Sequence, residues 1–214
     1  MYFSKYIYIF LIITCLSARC HDPERPRTTM DPPVNTDADT PLADVYQMLD
    51  GTWIGTFIVY EDERGQIQPY QIPDGIDSRF LESIPLHESN RISVTQRYVS
   101  ISPYFQKVEI TDVYLDDSAE KRVDSYGVNK VENGQMWCIV VKPDERIVHQ
   151  GKREGENTII WTRDKTDPLK VEYFRETVLE DTYSIVGYGY YGEDDRHLSP
   201  KTWFLGRYHR KKGT

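Results

Sequence analysis

Three arginines alternate with apolar residues along short stretches rich in β-branched and aromatic residues: Arg163, Arg175 and Arg207. Alternate residues of a strand share one face, so each arginine would point to the same side as its apolar neighbours. Guanidinium groups bind carboxylates through two parallel hydrogen bonds, so an interior containing Arg163 and Arg175 would bind an anion. The alternative is that these arginines lie at strand ends or pair with structural acids such as Glu172 and Glu176, because a buried charge needs a partner.

A stretch rich in glycine and tyrosine, GYGYYG over residues 187–192, offers a second kind of polar group. Gly187 and Gly189 share one face of the predicted strand, and Tyr188 and Tyr190 share the other. Glycine within a strand marks sharp curvature or a close approach of another backbone. We expect a bent strand packed with aromatic rings. The alternative is that the hydroxyl of Tyr188 hydrogen-bonds a ligand.

Residues suited to nucleophilic, metal or phosphate chemistry are not grouped in this sequence. Four histidines of the folded part are scattered along it: His87, His149, His197 and His209. Cys138 lies in the apolar run QMWCIVV, where a thiol is expected to act as a small buried hydrophobe. No nucleophile elbow, phosphate-binding loop or metal-ligand spacing occurs. We therefore predict no metal, no cofactor and no catalytic residue.

The candidate residues lie on a long succession of predicted strands. The candidate strands are 52–60, 66–71, 91–101, 105–115, 122–131, 135–142, 146–153, 157–163, 169–179, 182–191 and 202–210. Turn residues separate most of them and the connections are short, which favours antiparallel hairpins. A sheet of about 9–11 strands would leave bare edges unless it closed on itself. We predict an all-β, up-and-down antiparallel barrel, with a β-sandwich as the alternative.

Two segments are predicted not to be strands. Residues 41–49, PLADVYQML, have apolar residues at helical spacing and predict a short N-terminal helix. The long insertion at 72–90 predicts a lid or end cap over one mouth of the barrel. On the first strand, Phe57 and Val59 share a face with Trp53, and we expect these two side chains to contact a ligand.

The first residues of the chain have the composition of an export signal. In residues 1–20, Lys5 precedes an apolar run of about a dozen residues, a length typical of a signal peptide and short for a membrane helix. Cys20 is a candidate for lipidation, and cleavage near Ser17 or Ala18 is the alternative. Both routes predict an exported protein of the cell envelope, periplasm or exterior, held to a membrane only through a lipid anchor.

The segment that follows the leader is predicted to be a disordered linker. Residues 21–41 are rich in proline and small polar residues, which leaves 42–214 as a single barrel domain. The formal net charge is −8 and there is no basic stripe, so nucleic acid is not an expected partner. No feature of the sequence specifies an oligomeric state.

The two ends of the predicted barrel resemble those of the calycins, the superfamily of lipocalins and fatty-acid-binding proteins. Gly51-Thr52-Trp53 is similar to the Gly-x-Trp signature of their first strand. In that superfamily the tryptophan packs at the closed end of the barrel and an arginine of the last strand lies across it. The last strand here, TWFLGRYHRKK, offers Arg207 and Arg210. The resemblance implies that Gly51, Trp53 and Arg207 close the barrel, while the Arg-x-Tyr pair with which fatty-acid-binding proteins grip a carboxylate is absent.

Barrels of this size enclose one small ligand or fill themselves with side chains. We expect an exported barrel that binds a small, partly apolar and anionic molecule in its interior. One alternative is an isomerase or cyclase that works inside the barrel. Another is an envelope interaction protein with a filled barrel, which predicts no internal cavity.

Overall fold

A computed structural model describes residues 29–67, 72–116 and 119–212. The strands are β1 Gly51–Asp62, β2 Leu86–Ser102, β3 Phe105–Asp116, β4 Ala119–Glu132, β5 Gln135–Val141, β6 Arg146–Glu154, β7 Thr158–Thr166, β8 Leu169–Leu179, β9 Thr182–Tyr191 and β10 Thr202–Arg210. The helical elements are two 3-10 helices, Asp37–Leu42 and Gln47–Leu49, and one α-helix, α1, Ser78–Glu82. The predicted leader at 1–20, with Cys20, lies outside the described residues.

The ten strands form one closed antiparallel barrel. Each strand pairs with its neighbours in the chain, and β1 closes the barrel by pairing with β10 as well as β2. The prediction of an all-β, up-and-down antiparallel barrel is confirmed, and the β-sandwich alternative is wrong. Ten of the eleven predicted strands have a counterpart. In the predicted strand 66–71, residues 66–67 are not strand and the remainder lies outside the described residues.

The chain that precedes β1 packs against one end of the barrel. Tyr46 Oη donates to the carbonyl oxygen of Lys130 at 2.8 Å, and Leu49 is fully buried. The buried carboxylate of Asp39 accepts from the backbone N–H of Gly134 at 2.6 Å and of Thr36 at 2.7 Å. The prediction of a disordered linker is therefore wrong for residues 37–41, because these hydrogen bonds hold a 3-10 helix against the barrel.

The segment between β1 and β2 lies on the outer wall of the barrel. Asp77 caps α1 by accepting from the backbone N–H of Phe80 at 3.0 Å. The apolar residues of this segment pack on outward-facing residues of β9 and β10: Ile76, Leu81 and Ile84 against Val186, Trp203 and Leu205. The prediction of a lid over a mouth is wrong, because the apolar residues of the segment are buried against an apolar patch on the outer wall. None of the helices in the described part of the chain has the length and apolar character to cross a membrane.

Candidate functional site

The barrel encloses a cavity of about 280 Å³. Its walls are largely aliphatic and aromatic. Inward positions alternate with outward ones along every strand, so every second residue of a strand can line the cavity. On β8 the inward row contains Glu172, Phe174 and Glu176, all of which line the cavity. The filled-barrel alternative predicts no such space and is contradicted.

One end of the barrel is closed by Trp53, which is fully buried. Its indole Nε1 donates to the carbonyl oxygen of Leu49 at 2.7 Å, and its ring meets that of Tyr183 edge to face at 5.5 Å. The guanidinium carbon of Arg210 lies 4.2 Å from the centre of the Trp53 ring and forms a cation–π contact. Arg210 Nη1 also donates to the carbonyl oxygen of Asp50.

Gly51 allows Arg210 to reach this position. Its φ is +116°, a conformation that side chains rarely adopt, and a Cβ at residue 51 would lie 2.8 Å from Arg210 Nη1. Arg207, the arginine to which this contact was assigned from the sequence, is exposed on the outer face of β10. That assignment is wrong because Arg210, and not Arg207, shares strand parity with the inward residues Phe204 and Tyr208.

Arg175 and Tyr188 also face outward, so their predicted place in the interior is wrong. Arg175 Nη2 forms an ion pair with Glu154 at 2.7 Å. The Tyr188 ring stacks on Tyr173 at 5.1 Å. The parity argument failed on these strands because their outer face is apolar too, and the segment that contains α1 partly covers it.

Arg163 lies inward, but it belongs to an ion-pair network at the mouth and is not among the residues that line the cavity. Its guanidinium contacts Glu145 at 2.6 Å and Glu172 at 3.5 Å. Glu145 also pairs with Lys170 at 2.7 Å. The alternative that Arg163 pairs with a structural acid, Glu172, describes this geometry.

Glu172 is the best-partnered carboxylate in the cavity wall. His149 Nε2 donates to its Oε2 at 3.0 Å, and Tyr191 Oη donates to its Oε1 at 2.8 Å. Burial alone would raise the pKa of Glu172. The hydrogen bonds from His149 and Tyr191 and the positive charges of His149 and Arg163 outweigh burial and lower the pKa to about 2. Glu172 is therefore ionised at neutral pH.

Glu176 lies deeper, one strand repeat beyond Phe174. Burial raises its pKa to about 7, although hydrogen bonds from Trp161 and Tyr183 act in the opposite direction. Both of these donors are neutral. In the part of the chain that the structure describes, no lysine, arginine or histidine forms an ion pair with Glu176. Glu176 is thus a carboxyl group that can gain or lose a proton near neutral pH.

Phe57 lines the cavity and stacks on Phe204 at 5.6 Å. Val59, two residues further along β1, is half-buried and is not part of the cavity wall. Of the five residues predicted to bind a ligand, Phe57 alone lines the cavity. The structure therefore does not place Val59 where it was predicted, although Phe204, its partner on β10, lines the cavity.

Sequence reasoning missed several polar residues of the cavity wall. The acids on β8 were considered only as partners for arginines, and His149 and Tyr191 were not grouped with them. The one available signal was the alternation in VEYFRETV, which places Glu172 and Glu176 on the same face as Phe174. In the described ranges, no three His, Cys, Asp or Glu side chains are grouped so that they could hold a metal ion.

The fold and its cavity define the chain as a closed ten-stranded antiparallel barrel with a partly polar interior. No family model and no curated protein matches the sequence. Among solved structures, it is similar to EF1p2_mFAP2b bound to DFHBI, with 12% identity, coverage of 79% of this chain and 99% of that chain, and a TM-score of 0.35. It is also similar to mFAP1, a redesigned β-barrel bound to DFHBI, with 12% identity, coverage of 78% and 100%, and a TM-score of 0.34.

Proposed function

We propose that the protein is an exported, calycin-like barrel that binds one small, predominantly apolar molecule in its interior. The observation that carries this proposal is the cavity of about 280 Å³, which has apolar walls and a few polar groups at defined positions. Concave, mostly apolar sites with few polar groups are typical of small-molecule binding. A dry cavity of about 150 Å³ already accepts benzene, so a two-ring molecule is a reasonable size for this one.

The proposed calycin relationship is supported by the closed end of the barrel. Trp53 on the first strand lies under an arginine of the last strand, and the ten strands follow one another around the barrel. The contact uses Arg210, so the relationship no longer depends on Arg207.

The ligand that we propose is not an anion. The anionic prediction depended on Arg163 and Arg175. Arg175 lies outside the barrel, and Arg163 is already paired with Glu145 and Glu172. An anion would find no free guanidinium from these two residues.

Binding can be tested by filling the cavity. Ile110 lines it from β3, and Ile110→Trp should occupy much of the space. We expect the unmodified protein to bind a neutral fluorescent two-ring hydrocarbon such as naphthalene, and the variant to lose that binding at least tenfold. Val99→Trp is the matched control, since Val99 is exposed on the outer face of β2. Equal binding by both variants, with both folded, would place the probe outside the cavity and overturn the proposal.

Export and lipidation are separate parts of the proposal. Cys20→Ser should release the protein from the membrane fraction of its own cells if Cys20 carries a lipid. Continued membrane association of this variant would reject the anchor.

Native mass spectrometry of the protein purified from its own source offers a separate test of binding. We expect a bound molecule to appear as a mass increment that Ile110→Trp removes.

A second candidate is an enzyme that transfers protons inside the barrel. The observation in its favour is that two carboxyl groups on one strand have pKa values driven apart, to about 2 for Glu172 and about 7 for Glu176. In this function Glu176 would be the general acid or base of an isomerisation or cyclisation. Turnover of a bound substrate that Glu176→Gln abolishes without loss of binding would support the enzyme, and undiminished turnover would reject it.

A further inference from the structure

The charged groups of the cavity wall are matched in pairs with one exception. Asp112 lies 3.7 Å from Lys142, and Glu172 contacts both His149 and Arg163. Glu176 is the remaining carboxyl group, and the two side chains that act to lower its pKa, Trp161 and Tyr183, are neutral. Glu176 is therefore the one carboxyl group of the cavity wall that has no cationic partner among the described residues.

Two further polar atoms of the cavity wall have no hydrogen-bond partner within the described residues: Tyr208 Oη and Asn129 Oδ1. Both residues are more than nine-tenths buried, and both line the cavity. A buried polar group without a partner costs about 1–3 kcal/mol. Asn129 Nδ2 already donates to Gln106 at 2.8 Å, so the oxygen left over can only accept. Tyr208 Oη can donate or accept, so a ligand that carries a hydrogen-bond donor would suit both atoms.

The aromatic surroundings of Glu176 specify the rest of the ligand. Tyr208 stacks on Tyr183 at 5.0 Å, and Phe174 and Phe204 lie 5.2 Å apart further along the cavity. A flat apolar body would pack against these rings, and aromatic faces also attract a cation. We propose that the ligand is an aromatic amine-bearing molecule whose protonated nitrogen donates to the carboxylate of Glu176. This inference rests on the proposed function, because it names the class of molecule that the same cavity binds.

The groups that face Glu176 from neighbouring strands do not compete for this role. They are Trp161 on β7, Tyr183 on β9, Tyr208 on β10, Tyr98 on β2 and Cys138 on β5. Burial raises the pKa of each of the three tyrosines and of the thiol, so all are neutral at physiological pH. Among Glu176 and these five neighbours, Glu176 is the group whose pKa lies near neutrality.

The experiment compares three probes of one shape and different charge: naphthylmethylamine, naphthylmethanol and naphthylacetic acid. At about pH 8 the amine should bind the unmodified protein at least about tenfold more tightly than the alcohol, as expected for a charge-assisted hydrogen bond. The acid should bind most weakly. The preference for the amine should shrink as the pH falls to about 6, because Glu176 takes up a proton, while binding of the alcohol stays constant.

Two variants locate the amine. Glu176→Gln should bind the alcohol as before and lose the preference for the amine. Glu109→Gln is the matched control, because Glu109 is an exposed carboxylate on the outer face of β3. A preference that survives in Glu176→Gln but is lost in Glu172→Gln would place the amine at the mouth and overturn the inference. The pH series on the unmodified protein remains decisive if Glu176→Gln fails to fold.

The outcomes separate this inference from the proposed function. Binding of the alcohol that Ile110→Trp blocks, with no preference for the amine at any pH, would leave the ligand-binding barrel intact and overturn the amine. Binding of none of the three probes would overturn both.

Discussion

Glu172 and Glu176 are two carboxyl groups on one strand, in one inward row, roughly 13 Å apart along β8. Burial acts to raise the pKa of both groups. The net result is a pKa of about 2 for Glu172 and of about 7 for Glu176. The difference lies in their partners. Glu172 contacts His149 and Arg163 at the mouth, whereas the described side chains that act on Glu176 further in, Trp161 and Tyr183, are neutral. The charge of a buried carboxyl group therefore depends on the side chains that the neighbouring strands place beside it, as well as on burial.

The two ends of the barrel interior also differ in the side chains that form them. The closed end is made of aromatic rings and of the chain before β1, and both Leu49 and Trp53 are fully buried there. Ion pairs around Glu172 form the mouth, and the cavity lies next to them. The closed end therefore contributes stability, and the cavity with its mouth contributes the place where a molecule can bind.

The largest expected effect tests the closed end. Trp53→Ala should lower the free energy of unfolding by about 3–5 kcal/mol, because it removes a fully buried large aromatic side chain. Denaturant unfolding followed by circular dichroism measures this change. Trp137→Ala is the control, since Trp137 is half-buried on the outer face of β5 and should cost clearly less. Equal losses in the two variants would mean that the closed end has no special role in stability.

The second prediction concerns the two carboxyl groups as a pair. The raised pKa of Glu176 means that the folded state holds its proton more tightly than the unfolded state. Stability should therefore fall as the pH rises from about 4.5 to about 7, by about 3 kcal/mol. The lowered pKa of Glu172 has the opposite sign, so its contribution is complete above about pH 4.5 and is lost as the pH falls towards about 2.

Substitution separates these two pH ranges. Glu176→Gln should flatten the loss of stability between about pH 5 and pH 8, and Glu172→Gln should flatten the loss below about pH 4.5 while lowering stability at neutral pH by about 1–3 kcal/mol. Urea unfolding across the pH range, with Glu109→Gln as the exposed control, measures both. A Glu176→Gln variant that loses as much stability as the native protein between pH 5 and pH 8 would contradict the assignment of that titration.

These comparisons show which features could be predicted from the sequence. Alternating residues and short turns are local, and they predicted the strands and the antiparallel barrel. Parity also grouped residues correctly, but it did not decide which group faces inward. On β8 to β10 both faces carry apolar residues, and the distant segment that contains α1 covers part of the outer one. Arg175, Tyr188 and Arg207 were misplaced for this reason.

The polar contacts of the site depend on strand register. His149 lies on β6 and Tyr191 on β9. They contact Glu172 on β8 because the strand register of the closed sheet places the three residues at the same height in the barrel. Likewise, the 3-10 helix at Asp37–Leu42 is stable through the contact of Asp39 with Gly134, 95 residues away in the chain. The local composition predicted a disordered linker there, because it carries no information about a contact with a residue as distant as Gly134.

The smallest expected effect decides between the two arginines of β10. Arg210→Gln should lower the free energy of unfolding by about 1–2 kcal/mol, since it removes the cation–π contact with Trp53 and the hydrogen bond to the Asp50 carbonyl oxygen. Arg207→Gln makes the same chemical change on the exposed outer face and should stay within about 0.5 kcal/mol of the native protein. Thermal and urea unfolding of the two variants side by side measure the difference. A larger loss in Arg207→Gln than in Arg210→Gln would reverse the assignment and remove the structural support for the proposed calycin relationship.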